Sequence, residues 1–274
     1  MNLKRTTWGQ IRQMMWSTVA CYIWIAAALW LPGYAVATET PVVAAASSLN
    51  PALTEVVRAF TDKTGKSVRL SFGSSGNIAR QIAQGAPFEL FLSADERYVR
   101  ALVDQSLTLD AGSVYANGRL VLYVPGNSLI QADTELRDLK RALADGRLRR
   151  LAIANPEHAP YGVAARQLLK RLDIWHRLKG RLVLGENVSQ AAQFAATGSV
   201  DAGIFSASTA RLPAVSLRGK SVTLAEHLHD PIRHRMVLLK SAGQTAREFY
   251  TFMDGPVARQ ILNKYEFTNP LDRP

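Results

Sequence analysis

Short apolar runs alternate with amphipathic helical patterns from residue 41 onward. The apolar run 41–46 predicts a buried strand. Asn50 is predicted as the N-cap of the next helix, with Pro51 at its first helical position. Gly65 is the residue type that favours a helix end, and it closes that pattern. Further strands are predicted at 67–72, 88–92, 119–124, 150–154, 182–184, 200–205 and 234–240. Helices are predicted at 78–84, from Ser93 or Asp95 to 103, and at 135–144, 163–172, 189–196 and 246–265, the last interrupted near Gly255. The alternation predicts an α/β fold with mostly parallel sheets.

The order of these elements predicts two lobes. Residues 38–120 and 234–274 form the first lobe, and residues 121–233 form the second. The chain then crosses between the lobes twice, which is typical of a hinge beside a ligand cleft.

Residues 1–37 have the pattern of a signal peptide. A basic leader precedes the apolar stretch 16–31, and residues 35–37 fit the small-x-small rule for cleavage. A retained membrane anchor is the alternative, because the apolar stretch is long for a signal peptide. Cys21 does not predict lipidation, since Thr18 stands where such sites usually carry Leu. We therefore expect a periplasmic protein.

Charge and cysteine usage narrow the functional classes. The formal net charge is +11, and the leader carries three Lys or Arg and no acids, so the mature chain is about +8 (11 − 3). A basic protein can bind nucleic acid, but an exported one rarely meets any, and we expect a surface that faces anionic lipid or attracts anions. Cys21 is the one cysteine, so the mature chain has neither disulfides nor thiol chemistry.

Small and polar residues fill four junctions between a predicted strand and the following helix. These junctions are residues 47–51, 73–77, 155–162 and 185–189. In an α/β sheet such junctions lie at the carboxyl ends of the strands, where ligands bind. Each presents free N–H groups and a helix start with roughly half a positive charge. Four converging starts suit a dianion, without Lys or Arg. Each junction taken alone is more often a structural cap.

Four segments resemble the periplasmic molybdate-binding proteins of ABC transporters. They are VAAASS (43–48), FGSSGNIARQI (72–82), GAPFELFLSAD (85–95) and NPEHAPYG (155–162). The resemblance implies a two-lobed type II periplasmic binding protein fold that closes around molybdate or tungstate. It also implies a monomer that delivers its ligand to an ABC permease in the inner membrane, with no cofactor and no enzymatic activity.

The resemblance also implies the ligand-binding residues. It points to the hydroxyl of Ser47 or Ser48 in the first junction and to Ser75 in the second. The third and fourth junctions contribute the backbone amide of Tyr161 and Val188. Some members use a tyrosine after the strand at 202–205; this chain has Ser206 there, with a shorter reach.

Two other functional classes are weaker. A hydrolase would need a nucleophile elbow, but residues 73–76 read Gly-Ser-Ser-Gly and not Gly-x-Ser-x-Gly. A metal-binding protein could use His227, His229 and His234, but no cysteine or tight carboxylate set completes such a site.

A third alternative keeps the fold and changes the anion to sulfate, phosphate or an organic anion. Sulfate is smaller, so a cavity sized for molybdate would hold it poorly. Phosphate carries a proton that needs an acceptor carboxylate. Glu157 and Glu186 stand at junctions where they could serve, or where they simply favour a helix start.

Overall fold

The computed structural model describes residues 40–270. The predicted signal peptide, residues 1–37, lies outside these described residues. Within residues 40–270, no helix combines the length and the apolar character that crossing a bilayer requires.

Five of the described strands build the first sheet. They are β1 (Val42–Ala46), β2 (Arg69–Gly73), β3 (Leu90–Ser93), β4 (Ser113–Gly118) and β10 (Ile232–Leu238). The strand order is β2-β1-β3-β10-β4. β1 pairs in parallel with β2 and β3, whereas β10 runs antiparallel to β3 and β4. We call this sheet and its helices the first lobe.

The other five described strands build a second sheet with a similar plan. They are β5 (Leu120–Pro125), β6 (Leu151–Ala154), β7 (Leu182–Gly185), β8 (Ala202–Ser206) and β9 (Gly219–Thr223). The strand order is β7-β6-β8-β5-β9, with β6 parallel to β7 and β8, and β5 antiparallel to its neighbours. We call this sheet and its helices the second lobe.

Ten described α-helices accompany the sheets. They are α1 (Asn50–Thr64), α2 (Ser75–Ala83), α3 (Glu96–Asp104), α4 (Arg137–Asp145), α5 (Pro160–Arg171), α6 (Val188–Ala196), α7 (Ala207–Ala210), α8 (Pro213–Ser216), α9 (Gln244–Met253) and α10 (Pro256–Lys264). Two five-stranded sheets flanked by helices match the predicted α/β fold.

The chain crosses between the sheets twice. It leaves the first sheet at Gly118 and enters the second at Leu120. It leaves the second sheet at Thr223 and rejoins the first at Ile232. β10 thus begins two positions before the predicted start of the returning lobe segment, residue 234; the residue-level lobe boundaries stay a prediction.

The interior strand β1 is apolar on both faces because helices cover both. Val43 and Ala45 belong to the same buried cluster as Leu53 of α1, whereas Ala44 packs in a second cluster with Ile78 of α2. Burial on both faces explains why this strand reads as an unbroken apolar run. The same packing fixes the starts of α1 and α2 at the carboxyl edge of the sheet.

Local signals place several helix ends correctly, but the helix starts beside the site differ from the predictions. α2 begins at Ser75 and α5 at Pro160, each three residues earlier than the predicted 78 and 163. Gly65 adopts the left-handed conformation after α1 (φ 70°), as predicted. Of the two candidate caps of α3, Ser93 and Asp95, the structure shows Asp95. The prediction of Asn50 as an N-cap was wrong: it is the first residue of α1, because a 3₁₀ turn over Ser47–Leu49 precedes it. That turn brings the two serines to the end of β1.

Candidate functional site

A small cavity lies where the two lobes meet. Its empty volume, which includes space open to solvent, is about 190 Å³. Cavities that take organic ligands usually measure roughly 300–1,000 Å³, so this one suits a small ion. The cavity is lined by Ala46, Ser47, Ser48, Gly73, Ser74, Ser75, Ala94, Ala159, Pro160, Tyr161 and Val188.

Ser75 begins α2 directly after β2 and is fully buried. Its Oγ accepts a hydrogen bond from the amide of Ala94 at 3.0 Å. Because the oxygen already accepts from protein, the hydroxyl proton is available to donate into the cavity. The backbone amide of Ser75 precedes the first i→i−4 bond of α2, which runs from Ile78 to Ser74.

Ser48 carries a buried hydroxyl with unused hydrogen-bonding capacity. The residue is 0% exposed, and its Oγ makes no hydrogen bond of normal geometry, although it interacts with the neighbouring Tyr161 hydroxyl. A buried polar atom left unpaired costs about 1–3 kcal/mol, so such an atom in a cavity calls for a ligand or water. Ser47 lies beside it and is 4% exposed.

The second lobe contributes two helix starts. Pro160 is the first residue of α5 and has no N–H, so Tyr161 provides the first amide of that helix. Val188 is the first residue of α6, and the cap side chain of Asn187 accepts from Ser189 and not from Val188. Both Tyr161 and Val188 line the cavity, and their amides precede the intrahelical bonds.

Ser206 is buried but is not among the residues that line the cavity. Its Oγ accepts from the amide of Thr209 at 3.3 Å and pairs with Thr209 Oγ1 at 2.6 Å, so it caps α7. Ser208 lies between these residues, and its hydroxyl donates to the carbonyl of Ser48 at 2.7 Å. Ser206 is thus linked to the first junction through Ser208.

The structure brings five of the six predicted ligand residues together: Ser47, Ser48, Ser75, Tyr161 and Val188. Ser74 and Ala94 also line the cavity, and Ser208 is a partner of Ser48, although the sequence did not predict these roles. The signal for Ala94 was present, because it follows β3 at the same sheet edge as the other junctions. Ser208 had no local signal, since its bond to Ser48 joins residues 160 positions apart.

The cavity lining is neutral. None of its lining residues within 40–270 has a charged side chain. Burial raises the pKa of the Tyr161 hydroxyl, and burial lowers the pKa of His234 to about 3. The Tyr161 hydroxyl lies 3.3 Å from His234 Nε2, so the groups just behind the cavity are neutral at pH 7 as well. The three starts of α2, α5 and α6 supply about 1.5 positive charges in total.

Comparison with known proteins identifies the family. Residues 41–268 match the family model described as bacterial extracellular solute-binding protein. The chain belongs to this family. Membership confirms the predicted class of protein, which binds and does not catalyse, and it places the protein outside the cytoplasm.

Three similar proteins are molybdate-binding proteins. The molybdate-binding protein ModA of Rhodobacter capsulatus is 36% identical, over 85% of this chain and 89% of its own length. ModA of Escherichia coli (strain K12) is 31% identical, over 86% and 92% respectively. The solved structure of the periplasmic molybdate-binding protein of Azotobacter vinelandii superposes with a TM-score of 0.76 at 32% identity. That match covers 84% of this chain and 99% of the other. These relatives confirm the resemblance and the two-lobed fold.

Three side chains near the cavity have the order of contacts seen in serine hydrolases. His158 Nδ1 lies 2.9 Å from Ser74 Oγ, and His158 Nε2 lies 3.6 Å from Glu186 Oε2. However, Ser74 is 4% exposed and the adjoining cavity has no room for an ester. In a family of binding proteins, these residues call for a role other than catalysis.

The histidines of the alternative metal site have separate partners in the structure. His229 Nδ1 bonds to the carbonyl of Asp230 at 2.8 Å, and His234 is 0% exposed beside Tyr161. Within residues 40–270, the structure contains no group of three or more His, Cys, Asp or Glu side chains that could hold a metal ion.

Proposed function

We propose that the protein captures molybdate or tungstate in the closed cleft and delivers it to an ABC permease in the inner membrane. The observation that carries this proposal is the neutral cavity of hydroxyl and helix-start amide donors at Ser48, Ser75, Tyr161 and Val188. Donors from both lobes can surround one tetrahedral anion, and about 1.5 units of helix-start charge favour a dianion. The relatives named molybdate-binding proteins point the same way.

The absence of a carboxylate from the cavity lining argues against phosphate. A protonated phosphate oxygen needs an acceptor, and an N–H or O–H donor facing it leaves a polar contact unmade. Glu157 pairs with Arg166 and its side chain is 75% exposed, and the Glu186 side chain is 57% exposed. Neither lines the cavity.

The ligand shell that we propose consists of the hydroxyls of Ser48 and Ser75 and the amides of Tyr161 and Val188. Ser47 is a neighbour that can donate through its backbone. Ser206 then acts indirectly, through the bond that Ser208 makes to Ser48. No cofactor takes part, and a single chain binds one anion.

Calorimetric titration of the purified chain with molybdate, tungstate, sulfate and phosphate tests this function. We expect one site per chain, similar affinities for molybdate and tungstate, and affinities at least tenfold weaker for sulfate and phosphate. Equal affinity for sulfate would refute the choice of anion, and tight phosphate binding would refute the donor-only cavity.

The route to the periplasm is part of the proposal. We infer that residues 1–37 are removed on export, so that the mature protein begins at Thr38. N-terminal sequencing of the exported protein tests this, and size-exclusion chromatography with light scattering tests the monomer. A retained leader would favour the membrane-anchor alternative.

A further inference from the structure

The two lobes touch each other beside the cavity. His158 Nδ1 lies 2.9 Å from Ser74 Oγ, and the amide of Gly76 donates to the carbonyl of His158 at 3.0 Å. His158 precedes α5 in the second lobe, whereas Ser74 and Gly76 stand at the start of α2 in the first. The two contacts require the lobes to be together, because each joins a residue of the first lobe to His158 of the second lobe.

Gly76 allows this approach because it lacks a side chain. A Cβ atom at this position would stand 2.8 Å from the carbonyl oxygen of His158 and 2.8 Å from the hydroxyl of Tyr98. Real Cβ atoms essentially never come closer than 3.0 Å. The contact between α2 and the loop before α5 therefore depends on glycine.

Further contacts between the lobes lie closer to solvent. Asn77 Nδ2 donates to Glu186 Oε1, and Arg80 donates to Asn77 Oδ1. His158 Nε2 lies 3.6 Å from the other oxygen of Glu186. The Glu186 side chain is 57% exposed and that of His158 is 13% exposed. Solvent weakens exposed contacts, so the contact of His158 with Ser74 is stronger than the contacts of Glu186.

The second lobe holds His158 in place by itself. The amide of Asn155 donates to the carbonyl of Gly185 at 2.7 Å, and the amide of Ala159 donates to the carbonyl of Asn155 at 2.9 Å. The Asn155 side chain also accepts from the amide of Glu157. These bonds fix the backbone of the loop from within the second lobe, which lowers the ordering cost of bringing His158 against α2.

We propose that His158, with Ser74, Gly76, Asn77 and Glu186, forms a rim latch that sets how slowly the bound anion is released. This inference rests on the proposed function and deepens it. His158, Asn77 and Glu186 do not line the cavity, so they act by stabilising the closed state. Because the anion binds tightly only between closed lobes, each contact made only on closure tightens apparent affinity.

Stopped-flow kinetics with molybdate tests the latch in the full mature chain. His158→Ala removes the side-chain contacts and keeps the backbone bond to Gly76. Loss of this one hydrogen bond predicts a dissociation rate roughly three- to tenfold faster, with an unchanged association rate. His158→Asn places an amide near the position of Nδ1 and restores most of the slow release. The matched control is His176→Ala, an exposed histidine of the second lobe.

A second measurement reports closure without relying on the ligand's identity. One spin label on an exposed position of each lobe gives the distribution of lobe distances, and the mature chain has no cysteine to interfere. We expect His158→Ala to lower the closed-to-open ratio, both unliganded and with molybdate, relative to His176→Ala. Equal ratios and equal release rates for the two variants would overturn the latch. Failure of the parent to bind molybdate would overturn the proposed function, while the unliganded distances would still decide the latch.

Discussion

Replacing Ser75 with alanine removes one hydroxyl donor from the cavity and leaves the backbone amide at the start of α2 in place. A hydrogen bond to a charged group contributes about 1.5–3 kcal/mol. At about 1.4 kcal/mol per tenfold change, we expect Ser75→Ala to weaken molybdate binding about 10- to 100-fold. Binding persists, because the helix start and the donors of the second lobe remain.

The same substitution has a separate effect on folding. Ser75 Oγ accepts from the buried amide of Ala94 at 3.0 Å, and an unpaired buried amide costs about 1–3 kcal/mol of unfolding free energy. Ser93→Ala is a matched control, because Ser93 is also buried and its Oγ accepts from the amide of Asp95 at 3.1 Å. Ser93 does not line the cavity.

Calorimetry with molybdate and urea unfolding of the unliganded protein separate these two effects. We expect both variants to lose stability, and Ser75→Ala alone to lose affinity. If Ser75→Ala keeps the parent affinity, or if Ser93→Ala loses as much affinity as Ser75→Ala, then Ser75 is not a ligand and the reasoning from its free proton fails.

Three further predictions concern residues around the site. Burial lowers the pKa of His234 to about 3, below the value of about 6.5 expected in the unfolded chain. Between these values the unfolded state binds the extra proton, so stability falls as the pH falls, by about 2 kcal/mol from pH 7 to pH 5. His234→Phe should remove that part of the slope in urea unfolding at several pH values; an unchanged slope would contradict the assignment. Asn187→Ala should lower the unfolding free energy by about 1 kcal/mol, because the Asn187 side chain caps α6; urea unfolding with an exposed Asn→Ala variant as control checks this. Ser206→Ala should weaken molybdate binding by less than Ser75→Ala in calorimetry, since Ser206 caps α7 behind the cavity; an equal loss would return it to the ligand shell.

Local sequence signals predicted most elements because the signals are themselves local. The apolar run at β1, the cap Asp95 and the helix end at Gly65 each act within a few residues. β4 and β9 were not predicted. Both lie at sheet edges, and their apolar runs are short: three residues in Ser113–Gly118 and one in Gly219–Thr223. Pairing with β10 and β5 makes them strands, and that pairing is distant along the chain.

The candidate site was likewise predictable only in part. The junction serines and helix starts were predictable, since strand ends and caps have residue preferences. The sequence did not predict which hydroxyl has no regular hydrogen bond, because this depends on distant contacts such as that of Ser208 with the carbonyl of Ser48. The meeting of His158 with Ser74 likewise depends on how the lobes close. Such contacts follow from tertiary packing and have no periodic signature.

Diffraction from crystals of the molybdate complex, measured at the molybdenum absorption edge, locates the bound anion. We expect one anomalous peak in the cavity between the lobes. The anion's oxygens should lie about 2.7–3.1 Å from the hydroxyls of Ser48 and Ser75 and the amides of Tyr161 and Val188. A peak outside this cavity, or an arginine, lysine or metal cation in contact with the anion, would contradict the proposed site.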